Sequence, residues 1–72
     1  MIYEIIKEIK NECGNNQMRD VFVSEEEIAD PDAWIHGVEP FADSIEREDL
    51  HGGMKFLVDA RGLFTEYTLT EI

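Results

Sequence analysis

Apolar and polar positions alternate most regularly at the C-terminal end of this chain. In Met54 to Asp59 and Leu63 to Thr70, β-branched and aromatic residues crowd two runs separated by Ala60-Arg61-Gly62, a composition that predicts the two strands of a hairpin. Side chains alternate across a strand, so Met54, Phe56 and Val58 share one face, and Leu63, Thr65, Tyr67 and Leu69 share a face of the second run. An even-length connection brings the two sets together, whereas a three-residue loop would set one against the other's polar side. A two-residue type I′ turn would hold Arg61 at positive φ, so a four-residue loop is expected.

Upstream, Ile2, Ile5, Ile6, Ile9 and Cys13 recur at spacings of three and four, with Glu4, Lys7, Glu8, Lys10, Asn11 and Glu12 between them. That period predicts an amphipathic N-terminal helix ending near Cys13, with Gly14 and the two asparagines after it as a left-handed cap. Its isoleucine stripe should lie on the apolar face of the hairpin. Arg19 to Ser24 reads as a further strand. The sequence Ser24-Glu25-Glu26-Glu27 fits a capping box, which sets a helical turn through Ile28 in competition with a longer strand. Asp30-Pro31, followed by Gly37, predicts one short turn of helix with Asp30 as its cap. Ser44 to Leu50 offers another strand, with Ile45 and the stem of Arg47 on one side and Glu46 and Glu48 on the other. Gly52-Gly53 would form the turn into Met54, giving a three-stranded meander.

The expected architecture is therefore α+β: an N-terminal amphipathic helix packed on a small antiparallel sheet of three to four strands that ends in the C-terminal hairpin. Seventy-two residues make one domain, residues 1 to 72, with a small core. Cys13, the single cysteine, cannot form an internal disulfide. The N-terminus has no apolar signal region, and no run of about 20 apolar residues occurs, so a soluble, cytoplasmic protein is expected.

Charge changes the picture more than composition does. The net charge is −11, and residues 20 to 53 hold eleven of the 17 acidic residues against one base, Arg47. Direct nucleic-acid binding and attraction to anionic membranes are disfavoured, and a basic protein surface is the expected partner. Acidic residues also keep small proteins soluble, but solubility alone does not require such segregation. In size and charge the chain is similar to small phage or mobile-element proteins that inhibit restriction or CRISPR nucleases by nucleic-acid mimicry, although no motif ties it to such a family.

Candidate chemistry is sparse. Glu48, Asp49 and His51 are close in sequence, as are Asp30 and Asp32, but neither group has EF-hand spacing, and one cysteine with two histidines does not make a zinc set. No nucleophile partners His36, Cys13 sits on an apolar stripe, and Gly52-Gly53 lacks the Lys and Ser/Thr of a phosphate loop. Neither an enzyme nor a cofactor is expected. The preferred function is a non-enzymatic interaction module. Glu25, Glu26, Glu27, Asp30, Asp32, Glu46, Glu48 and Asp49 would supply attraction, and Trp34 an apolar anchor. Trp34, Ile35, Val38 and Phe41 could equally cap the core. Leu57, Phe64 and Ile72 fall opposite the expected core face, to be covered either by residues 28 to 41 or by a second copy in a homodimer. A homo-oligomeric structural protein and a weak divalent-metal binder are the alternatives.

Overall fold

The computed structural model describes residues 1–13 and 16–72, with 11–13 and 16–19 described by backbone alone. Five strands form one antiparallel sheet: β1 (Ile2–Cys13), β2 (Asn16–Glu27), β3 (Ser44–Leu50), β4 (Gly53–Ala60) and β5 (Leu63–Glu71). One short helix, α1 (Pro31–Val38), lies between β2 and β3. The strand order is β2-β1-β5-β4-β3, so the two strands flanking the helix in sequence occupy opposite edges of the sheet. The intervening segment must cross four inter-strand spacings, about 19 Å. Its eight-residue helix covers roughly 12 Å of that distance.

The N-terminal helix is not formed: Ile2–Cys13 is a strand, paired with β2 on one side and β5 on the other. The isoleucine spacing that suggests a helix also suits a central strand with apolar residues on both faces. Tyr3, Ile5 and Ile9 lie on the α1 face, and Ile2 and Ile6 on the opposite one. Lys7 disguises this alternation, because it too lies on the α1 face, its ammonium 5.5 Å from the Tyr67 ring centroid. Four β-branched isoleucines in eight positions favour the extended chain. The expected cap at Gly14 and Asn15 lies outside the described residues, as does the side chain of Cys13.

Other boundaries move for local reasons. Ser24-Glu25-Glu26-Glu27 continues β2, because each residue pairs with β1 and Ile28 N–H then donates to Met1 O at 2.9 Å. Asp30 caps α1 as expected, its Oδ1 accepting from the N–H groups of Asp32 (3.1 Å) and Ala33 (3.4 Å). The helix runs through Gly37 to Val38, longer than the single turn expected. The meander β3-β4-β5 forms, but its first turn is His51-Gly52, with Gly52 at φ 81° and Gly53 already paired to Leu50.

The C-terminal hairpin has the expected face assignment, with Met54 opposite Leu69, Phe56 opposite Tyr67 and Val58 opposite Thr65. Its connection is two residues, not four: Ala60 pairs with Leu63, leaving Arg61 at φ 53° and Gly62 at φ 80°. The positive φ of Arg61 is offset by anchoring from below. Arg61 N–H donates to Asp43 Oδ2 at 2.7 Å, and Gly62 N–H to Asp59 Oδ1 at 3.2 Å. A main-chain bond from Asp43 N–H to Asp59 O (2.7 Å) ties the start of β3 to the same corner.

The core lies between the sheet and the crossing segment. Ile28 and Ile35 from that segment are buried against Tyr3, Ile5, Met54, Phe56, Val58, Tyr67 and Leu69, with Trp34, Ala42 and Ile45 at the margin. Thus α1 takes the seat expected for an N-terminal helix, and residues 28 to 41 cover the Phe56 face and leave the Leu57 face open.

Phe56→Ala should remove about 3–5 kcal/mol, comparable with the whole stability of a domain this small, whereas Phe64→Ala should cost under about 1 kcal/mol. Urea midpoints followed by circular dichroism would show the contrast; equal losses would contradict this core. At Gly53 a Cβ would meet Leu69 O at 2.0 Å, so Gly53→Ala must part β4 from β5 and should lower stability by about 1–3 kcal/mol or more. Arg61→Gly should instead raise it by roughly 0.5–1 kcal/mol, since it relieves the left-handed backbone. The same denaturation curves test both signs.

Candidate functional site

Strand alternation divides the acidic residues between the two faces of the sheet. Glu25 and Glu27 on β2, and Glu46 and Glu48 on β3, point away from α1; Glu26 and Asp49 point toward it. Since β2 and β3 are opposite edges, the eight acids expected to act together form no single contiguous group. Glu48 and Asp49 face apart, and His51 lies in the following turn. Among the described residues, no group of three or more His, Cys, Asp or Glu side chains is placed to hold a metal ion.

Several of these acids hold the helix in place. Trp34 Nε1–H donates to Glu26 Oε2 at 3.3 Å, tying α1 to the β2 edge, while the Trp34 ring stands edge-on to Tyr67 at 5.7 Å between centroids. Arg47 Nη1 meets Asp32 Oδ2 at 2.7 Å, tying α1 to the β3 edge, and Arg47 Nε meets Asp49 Oδ1 at 2.9 Å. Hydrogen bonds from its guanidinium to Asp49 and Asp32 raise the Arg47 pKa further. Near the centre of the sheet, Tyr67 O–H donates to Glu39, and burial together with that acceptor raises the phenol pKa. Trp34 is therefore a partly buried clamp, and Asp30 is committed to the helix cap. From the same apolar group, Ile35 is buried, but Val38 is exposed and Phe41 projects with 83% of its surface free.

On the open face a charge ladder runs across four strands. Lys10 Nζ to Glu66 Oε2 is 3.1 Å, Lys55 Nζ to Glu66 Oε1 is 3.3 Å, and Lys55 Nζ to Glu48 Oε2 is 3.6 Å. Burial pushes the Glu66 carboxyl pKa up, but its bonds to Lys10 and Lys55 outweigh this and leave it lowered. Leu57 and Phe64 lie beside this ladder, where they line a groove of about 560 Å³ with Lys10, Arg61 and Glu66. Ile72 stands eight residues beyond Phe64, roughly 27 Å along the strand, so the three residues expected to form a dimer face are not one patch.

Five acids lie together at one end of the sheet. Glu4 sits directly across from Glu25, and Glu27 follows on the same face; Glu26 and Glu71 flank Tyr3 on the other. Among the described residues, none of Glu4, Glu25, Glu27 and Glu71 takes part in an ion pair. Next to this end, the outer edge of β2 exposes Val21 (51%), Phe22 (57%) and Val23 (66%) in succession. Sequence reading identifies Glu25 to Glu27 but misses Glu4 and Glu71, which join them only through the β1 pairings. It also misses the apolar edge, because Val21 to Val23 read equally well as an interior strand.

Among the described residues, no helix is long and apolar enough to cross a membrane. No protein-family model, curated protein or solved structure matches this chain.

Proposed function

We propose that this protein is a non-enzymatic interaction module that docks on a basic protein surface through the acidic end of its sheet. The observation that carries this reading is the cross-strand pair Glu4–Glu25, extended by Glu27 about 7 Å along β2. Like charges placed directly opposite destabilise a sheet, and among the described residues no cation pairs with either. A constellation that costs stability and is left unneutralised fits a partner that brings its own positive charge. The remaining acids of residues 20 to 53 contribute long-range attraction within a net charge of −11.

Ordinary docking fits this geometry better than nucleic-acid mimicry. A duplex presents charge continuously, about one per 1.7 Å of axis. The acids of β3 are instead interrupted by Arg47 and Lys55.

Substitution of Glu25 by Lys separates the two effects. E25K should stabilise the fold by about 0.2–1 kcal/mol, because it places opposite charges across β1 and β2. E25K combined with Glu27→Lys should slow association with the basic partner about tenfold or more at low salt. Capture from cell extract at low and high salt identifies that partner, and binding kinetics with the purified partner then measure the rates. Association equally fast in wild type and variant would remove these carboxylates from the mechanism.

A further inference from the structure

The two edges of the sheet are built differently. The β3 edge is seven residues long and carries four consecutive charged residues, Glu46 to Asp49, which discourage a further strand. The β2 edge is twelve residues long and has three consecutive exposed apolar residues at its middle. It pairs with β1 alone, so the outward N–H and C=O groups along its length remain available. Beyond Lys10, β1 has no β5 partner, and Asn11–Cys13 with Asn16–Met18 continues as a two-stranded ribbon, an arrangement marginal in water by itself.

We propose that β2 pairs antiparallel with β2 of a second copy about a two-fold axis at Phe22, joining two sheets into one of ten strands. The occupant follows from the strand's own sequence. Phe22 lies at its midpoint, so this register pairs every position from Gln17 to Glu27 with one on the other copy. It sets Phe22 beside Phe22 on the α1 face and Val21 beside Val23 on the open face, pairs of the aromatic and β-branched kinds that stabilise sheets. It also sets none of the three glutamates of each strand against another acid: Glu25 falls opposite position 19, an arginine, Glu26 opposite Met18 and Glu27 opposite Gln17, while Asp20 falls opposite Ser24. An unrelated strand has no reason to match this inverted order. The overhanging ribbon of each copy gains a third strand, Glu26–Glu27 of its neighbour.

The pairing engages main chain at the β2 edge and draws Glu25 toward the neighbour's position 19, while Glu4 and Glu27 stay free for the docking partner. Oligomeric state is read on the protein alone, so failure of the pairing and failure of the docking reading are distinguishable. Sedimentation equilibrium of the full chain at about 0.15 M salt should give twice the 8.3 kDa chain mass. Val23→Lys, at an exposed position, should weaken dimerisation at least tenfold with unchanged circular dichroism, whereas Leu57→Lys on the open face should leave it intact. Arg19→Glu and Glu25→Arg should each weaken the dimer, and the double exchange should restore it. A monomeric wild type, dissociation by L57K but not by V23K, or a double exchange that stays monomeric would overturn the proposal.

Discussion

The requirement that the chain pass from one edge of the sheet to the other governs the whole molecule. Because β2 and β3 lie at opposite margins, residues 28 to 43 must cross the intervening strands, and that crossing supplies the second layer of the core. Ile35 drives into the sheet from α1, and Ile28 and Ala42 close the two ends. One face is consequently packed, and the other is served by Lys10, Glu66, Lys55 and Glu48, a ladder of charges suited to water.

Acidic residues in this protein follow two distinct logics. Those near the helix act as fasteners: Glu26 accepts from Trp34, Asp32 from Arg47 and Glu39 from Tyr67, which fixes α1 to the two edges and the centre of the sheet. The exposed Arg47–Asp32 pair contributes little energy singly, but together with the two hydrogen bonds it orients an eight-residue helix that is too short to be stable alone. Glu4, Glu25 and Glu27, at the Tyr3 end, make no such contact with α1 among the described residues. Glu4 and Glu25 oppose each other, with no ion pair to either among the described residues, and the core must offset that repulsion. On the proposed reading, this contrast, and not the total charge, separates the acids offered to a partner from those needed for folding.

The sequence made much of this legible, and its failures have identifiable causes. The hairpin faces around Phe56 and Tyr67, the Asp30 cap and the division of Ile45 and Arg47 from Glu46 and Glu48 all follow from period-two alternation or local capping chemistry. The N-terminal strand was obscured because Ile2, Ile5, Ile6 and Ile9 fit both periods, and Lys7 lies on the core face above Tyr67. Ser24 to Glu27 has the residues of a capping box, yet pairing with Ile2–Ile5 overrides that local preference. Arg61 takes a conformation it disfavours because Asp43, eighteen residues upstream, receives its N–H. The clustering of Glu4 with Glu25 depends on register, and register is a property of two strands that neither declares alone.

What the free edge of β2 requires is a different question from what the acidic end attracts. A long edge with apolar residues at its middle invites unregulated strand addition, and natural sheets blunt such edges with charge or cover. Here β3 is blunted and β2 is not, although lysines on the β2 edge would have served equally well. A net charge of −11 on every copy opposes stacking of many molecules, and a two-fold contact uses up the β2 edge of both partners, leaving β3 edges that repel a further strand. Closed pairing therefore removes the hazard that the edge creates, and it does so without a substitution at Val21, Phe22 or Val23. It also sets two acidic ends on one rigid sheet, so that a partner with repeated basic sites could be held at two points, with the second contact favoured by the proximity the first imposes.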